Sequence, residues 1–126
     1  MESSRILAVD DSATILEMIK AILVSGGYEV ITASDGAEAL DTARAEEPDL
    51  ILLDVMLPKL DGYRVCRLLK FDQKYKAIPI IMLTAKAEEQ AMATGIRTGA
   101  NQYLTKPIEP ERLLAAVAEE LSKAHD

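Results

Sequence analysis

Four apolar stretches of this chain end in side chains able to do chemistry. RILAVDDS (residues 5–12) closes on Asp10 and Asp11, LILLD (50–54) on Asp54, IPIIMLT (78–84) on Thr84, and QYLTKP (102–107) on Lys106. An ionised carboxylate buried without a partner is driven to protonate, so acids at the mouths of apolar segments ask for a cation. Two carboxylates about 4 Å apart repel by about 4 kcal/mol at an effective dielectric near 20, and three together require a divalent ion. Oxygen ligands with few protein donors suit Mg²⁺, which keeps waters and takes a carboxylate or two plus a phosphate oxygen. Carboxylates also form covalent phosphoryl intermediates, so Asp54 is a candidate nucleophile. Lys106 would then neutralise the phosphoryl oxygens and Thr84 donate a hydrogen bond to one of them. Plainer roles exist for each: Asp11 or Ser12 as a helix cap, Asp54 as a turn acid before Pro58 and Gly62, Lys106 as a surface lysine.

Bringing those groups together requires the elements between them. Residues 5–9 read as strand β1, and Ile15, Met18, Ile19, Ile22 and Leu23 repeat at the spacing of an amphipathic helix, α1, ended by Gly26 and Gly27. Strand β2 (28–32) leads to an alanine-rich helix α2 (36–45), with Asp35 and Glu38 placed as a cap and its partner. Strand β3 (50–53) is fully apolar; helix α3 (61–71), strand β4 (78–83), helix α4 (87–97) and strand β5 (102–104) follow. Helix α5 opens at Pro110 and should bury Leu113, Leu114, Val117 and Leu121. Helix α4, with Gly95 and a small-residue face, has the least to bury. Near-continuous apolar strands alternating with helices imply an α/β domain, a doubly wound parallel sheet of about five strands covered on both faces. Ligands of such sheets sit beyond the carboxyl ends of the strands, where the candidate residues lie.

Composition narrows the setting. The 126 residues suit one domain, 1–126, able to bury a core without disulfides or structural metal. Cys66 is the lone cysteine, so no internal disulfide forms, and it reads as a packed or half-exposed residue rather than a redox thiol. The opening MESSR lacks a secretion signal, and no apolar run approaches the roughly 18 residues of a membrane span, so a soluble, cytoplasmic protein without membrane contact is expected. A net charge of −7 argues against direct nucleic-acid contact and for protein partners. Arg64, Arg67, Lys70, Lys74 and Lys76 form a basic series that reads as a solvated helix face rather than a site for an acidic partner. His125, one residue from the end, should fray.

VDDS (9–12), LLDVMLPKLDG (52–62), MLTA (82–85) and YLTKP (103–107), in this order and spacing, resemble the receiver domain of two-component response regulators, of the single-domain chemotaxis type. The resemblance covers nearly the whole chain and implies a flavodoxin-like strand order, 2-1-3-4-5. It implies that Asp54 is the phosphoacceptor, and that Asp11, Asp54 and the Met56 carbonyl surround Mg²⁺ (or Mn²⁺), with Asp10 acting mostly through a water. It places Thr84, the Ala85 amide, Met56 and Lys106 around the phosphate. Pro107 would follow a cis bond, and Tyr103 would be the switch aromatic beside Thr84. Met56 and Lys86 stand where family members tune hydrolysis of the aspartyl phosphate. Asn101, Gln102 and Ile108 depart from the usual pattern without touching the site.

The implied function is a phospho-accepting switch without an output domain in this chain and not a dedicated enzyme. A histidine kinase or histidine phosphotransfer protein would supply the phosphoryl group, and a downstream protein would read the α4-β5-α5 face. Two alternatives are a fragment of a longer transcription regulator and an aspartate-nucleophile phosphatase of similar fold. Against the phosphatase, Asp54 is followed by Val55 and Met56, so no second acid stands two residues on.

Overall fold

A computed structural model describes residues 3–85 and 99–124. Its elements are β1 (Arg5–Val9), α1 (Ala13–Ser25), β2 (Glu29–Ala33), α2 (Gly36–Glu46), β3 (Leu50–Asp54), α3 (Gly62–Lys70), β4 (Ile80–Thr84), β5 (Gln102–Thr105) and α5 (Pro110–Ala124). The expected α4, Lys86 and His125 lie outside the described residues. All neighbouring strands pair in parallel in the order β2-β1-β3-β4-β5, the doubly wound arrangement implied by the sequence.

Successive strand residues face opposite sides, so each apolar run feeds two cores. Ile6, Ala8, Leu50, Leu52, Ile81 and Leu83 pack with α1 and α5, whereas Leu7, Val9, Ile51, Leu53, Ile80 and Met82 pack with α2 and α3. On α1 the buried stripe is Ile19, Ile22 and Leu23; Met18 is exposed and Ile15 half-buried. Leu114 is likewise only half-buried on α5.

Several boundaries shift by one or two residues from the expected ones, each for a local reason. Pro79 has no N–H to pair, so β4 begins at Ile80, with the Pro79 carbonyl accepting from the Ile51 amide at 3.0 Å. Thr84 is the last residue of β4 rather than the first after it, because it still pairs with Thr105 of β5. Asp35 caps α2 as expected by accepting from the Glu38 amide at 2.8 Å, but the Glu38 side chain accepts from Ser34, one residue before the cap, at 2.9 Å. Gly26 caps α1, and Gly27 takes a left-handed φ of 91° that turns the chain into β2.

Candidate functional site

The strand order places the carboxyl ends of β1 and β3 side by side, with α1 and α3 leaving on opposite faces, and the crevice between them holds the acids. Asp10 follows β1 directly and its amide donates to the Ala33 carbonyl at 3.2 Å. Its carboxylate is 1% exposed; one oxygen accepts from the Ser12 amide at 2.9 Å and the other from Lys106 Nζ at 2.9 Å. The helix cap belongs to Ser12, whose Oγ accepts from the Ile15 amide at 3.3 Å. Asp11 is therefore spared from capping and stays exposed. One oxygen each of Asp10, Asp11 and Asp54 lies within 4.8 Å of the others. Three hard oxygen donors that close form a set that suits Mg²⁺.

Asp54 ends β3 and is 4% exposed. Burial, reinforced by the charge of Asp10, raises its pKa above the ordinary carboxylate value, while Lys106 and the Met56 amide pull in the opposite direction. Lys106 Nζ stands 3.3 Å from Asp54 Oδ1. Burial disfavours that ammonium, but the bond to Asp10 and the charge of Asp54 outweigh it and hold its pKa above the usual lysine value. The lysine is delivered by β5: its amide donates to the Thr84 carbonyl at 2.7 Å, and the Lys106–Pro107 peptide is cis, as the motif implied. Asp10, Asp11, Asp54 and Lys106 are thus brought together from three strand ends.

The remaining candidates surround this group. Thr84 is buried at the end of β4, in the strand beside Asp54, and Ala85 follows it at the surface. Met56 contributes its amide toward Asp54 and turns outward, 75% exposed. Tyr103 packs against the α2–α3 side of the sheet; its hydroxyl is buried, has no hydrogen-bond partner among the described residues, and has its pKa raised by desolvation.

Composition alone did not reveal how the loop after Asp54 is held. The Gly62 amide donates to the Val55 carbonyl at 2.9 Å, and a Cβ on Gly62 would stand 2.1 Å from the Asp54 carbonyl oxygen. Gly36, opening α2, donates to the Pro58 carbonyl at 3.3 Å, and a Cβ there would stand 1.6 Å from the Leu60 carbonyl oxygen. Lys59, with a left-handed φ of 67°, reaches Asp35 at 3.4 Å. The loop is pressed between the starts of α2 and α3. In the sequence these glycines signal only turns, because close approach from a distant segment has no local signature.

Comparison with known proteins agrees with this geometry. The profile of the response regulator receiver domain matches residues 6–118. The alkaline phosphatase synthesis transcriptional regulatory protein PhoP of Bacillus subtilis is 50% identical over 115 residues, which cover 91% of this chain and 47% of that protein. The chain spans about half the length of the curated relatives it matches. Among solved structures, a putative response regulator from Chloroflexus aurantiacus superposes with a TM-score of 0.93 at 40% identity, covering 96% of this chain and 99% of that one. The receiver domain of sensor histidine kinase PA1611 from Pseudomonas aeruginosa, which has magnesium coordinated in its active-site cleft, superposes with a TM-score of 0.89 at 33% identity, covering 96% and 99%. The strand-end acids, the lysine and the fold that gathers them place this chain in the response regulator receiver domain family.

Proposed function

We propose that Asp54 accepts a phosphoryl group in a Mg²⁺-dependent step, with Mn²⁺ as a substitute, from the phosphohistidine of a histidine kinase or histidine phosphotransfer protein. The observation that carries this reading is the convergence of oxygens from Asp10, Asp11 and Asp54 within 4.8 Å, with Lys106 at the edge of the group. Bound there, Mg²⁺ would supply the positive charge that lets three carboxylates and an incoming phosphoryl group share one crevice. Asp54 is the acceptor because it ends the central strand, with its carboxylate between the acids after β1 and the Lys106 ammonium. Its carboxylate oxygen forms the bond to phosphorus as the phosphorus–nitrogen bond breaks; the donor imidazole keeps that electron pair and takes up a proton. Lys106 moves its contact from the Asp54 carboxylate to a phosphoryl oxygen, and the Thr84 hydroxyl and Ala85 amide donate to the others. The product is a stoichiometric modified state, so the domain works as a switch and not as a turnover enzyme. Movement of Thr84 and Lys106 is passed to the face of β5 and α5, where a protein partner reads it.

A second reading concerns the whole protein. The chain spans about half of relatives such as PhoP, a transcriptional regulatory protein, which favours a receiver that serves a longer regulator. In that case any DNA is contacted by a segment outside these residues.

Incubation with acetyl phosphate tests the chemistry. Intact-mass analysis should show one added phosphoryl group with Mg²⁺ present, and none after chelation or in Asp54→Asn. Labelling that survives either treatment would overturn the proposal.

A further inference from the structure

Helix α3 turns Val65, Cys66 and Leu69 into the core and leaves a second stripe outside. Arg64, Arg67, Leu68 and Phe71 fall at i, i+3, i+4 and i+7, the spacing of one helix face, and all four are exposed. Leu68 is 46% and Phe71 71% exposed, and the Arg67 guanidinium lies 5.8 Å from the centre of the Phe71 ring. Lys74 and Lys76 continue the positive charge in the following turn. None of these four cations pairs with an acid among the described residues, whereas Arg5, Lys59, Lys106 and Lys123 each meet one. Lys70, by contrast, is engaged, donating to the carbonyls of Lys76 and Ile78.

Sequence spacing alone marked this basic series as a solvated face. The two apolar side chains set among the cations change that reading. Single exposed apolar residues are ordinary, but an adjacent leucine and phenylalanine rimmed by arginines have the make-up of an interface centre. Residues 62–76 carry five basic residues and one acid, Asp72, on a chain whose net charge is −7. A long polyanion such as nucleic acid would meet the acidic remainder of the surface. A short acidic segment stays within the roughly 8 Å over which the patch acts at physiological ionic strength.

We infer that the outer face of α3 is a docking surface for an acidic protein segment with an aromatic or aliphatic anchor: the anchor covers Leu68 and Phe71 while its Asp and Glu side chains meet Arg64, Arg67, Lys74 and Lys76. The face is on α3, outside the Asp54 crevice, so docking is independent of phosphoryl transfer.

The test uses the full chain and a fluorescein-labelled peptide in which Phe and Leu alternate with Glu and Asp, followed by fluorescence anisotropy. Binding should weaken with salt and fall by about tenfold or more both in Arg64→Glu/Arg67→Glu and in Phe71→Ala, the latter at unchanged charge. Asp54→Asn and the control Lys20→Glu should bind as the parent does. Absence of binding, or equal binding by Phe71→Ala, would overturn the inference. So would a labelled oligothymidylate that binds as tightly as the peptide, since the face would then be one for nucleic acid. Sedimentation showing self-association that Phe71→Ala abolishes would also overturn it, assigning the face to a second copy.

Discussion

Burial and a neighbouring acid disfavour the ionised form of Asp54, and this gives it a measurable signature. Burial first, then the charge of Asp10, raises its folded-state pKa above the ordinary 3.8. A carboxyl group with a raised folded pKa contributes stability that is fully present below the unfolded value and is lost as pH rises through the folded one. Above that raised value the contribution is gone, and the folded domain carries the cost of a confined anion. Asparagine keeps the shape and removes the charge. In chelator, Asp54→Asn should melt above the parent at pH 7; a gain of about 1 kcal/mol corresponds to about 4 °C for a domain of this size. The gap should narrow as pH is lowered from 7 through the raised folded pKa, where the parent's carboxyl regains its proton. Thermal melts across that range check it; equal melting at pH 7, or a gap that widens in acid, would count against the electrostatic account. At this scale the sequence was informative where an ionisable group ended an apolar run, as Asp54 and Lys106 do. It could not choose between Asp11 and Ser12 as the helix cap, because both side chains suit that role; Ser12 takes it, which leaves Asp11 available to a metal.

At the level of elements, the site depends on how tightly the β3–α3 loop is folded back. Gly62 and Gly36 each face a backbone carbonyl oxygen where a Cβ would sit, at 2.1 and 1.6 Å. Backbone cannot yield as a flexible side chain can, so Gly62→Ala and Gly36→Ala should each destabilise the domain by about 3 kcal/mol, the upper end of ordinary overpacking. Gly27 is the comparison: its φ is 91°, but nothing lies within 4 Å of an added Cβ, so Gly27→Ala should cost only the roughly 1–2 kcal/mol of a left-handed residue. Denaturant titration of the three variants orders them; a Gly27 variant as damaged as the other two would show that crowding is not the cause. On the proposed phosphoacceptor role of Asp54, Gly62→Ala should also slow phosphorylation, since the displaced loop would move the Met56 amide away from the Asp54 carboxylate. The period-two and helical patterns made the elements legible because each core residue reports its own face. Strand ends were less so: Pro79 delays β4 through a missing amide, and Thr84 remains in the strand through pairing with a segment twenty residues away in the chain. Such causes are not local, and Met18 is exposed despite its place in the apolar stripe of α1.

Over the whole molecule, the sheet order converts local strand ends into one crevice, and ligand binding there is linked to the stability of the entire domain. Alternation of strands and helices was enough to anticipate the parallel sheet, and the switch in strand order between β1 and β3 then had to face Asp10 toward Asp54. What the alternation could not supply was the balance of charge: Lys106 bridges Asp10 and Asp54 by 2.9 and 3.3 Å contacts, while Asp11 is exposed and makes no hydrogen bond or ion pair among the described residues. Asp11→Asn should therefore not lower the melting temperature of the metal-free domain, since it breaks no contact and removes a charge that repels Asp10 and Asp54. A ligand that binds only the folded state stabilises it by RT ln(1 + [L]/Kd), about 2.7 kcal/mol at a hundred times Kd, or about 10 °C here. Mg²⁺ titration followed by thermal unfolding should show a shift that rises with concentration in the parent and is largely lost in Asp11→Asn at the same concentrations. Ca²⁺, which prefers more ligands at longer distances than three carboxylates supply, should stabilise the parent less than Mg²⁺ does. If the Mg²⁺ shift persists in full without the Asp11 carboxylate, the ion is held elsewhere, and the crevice between β1 and β3 must work with two acids instead of three.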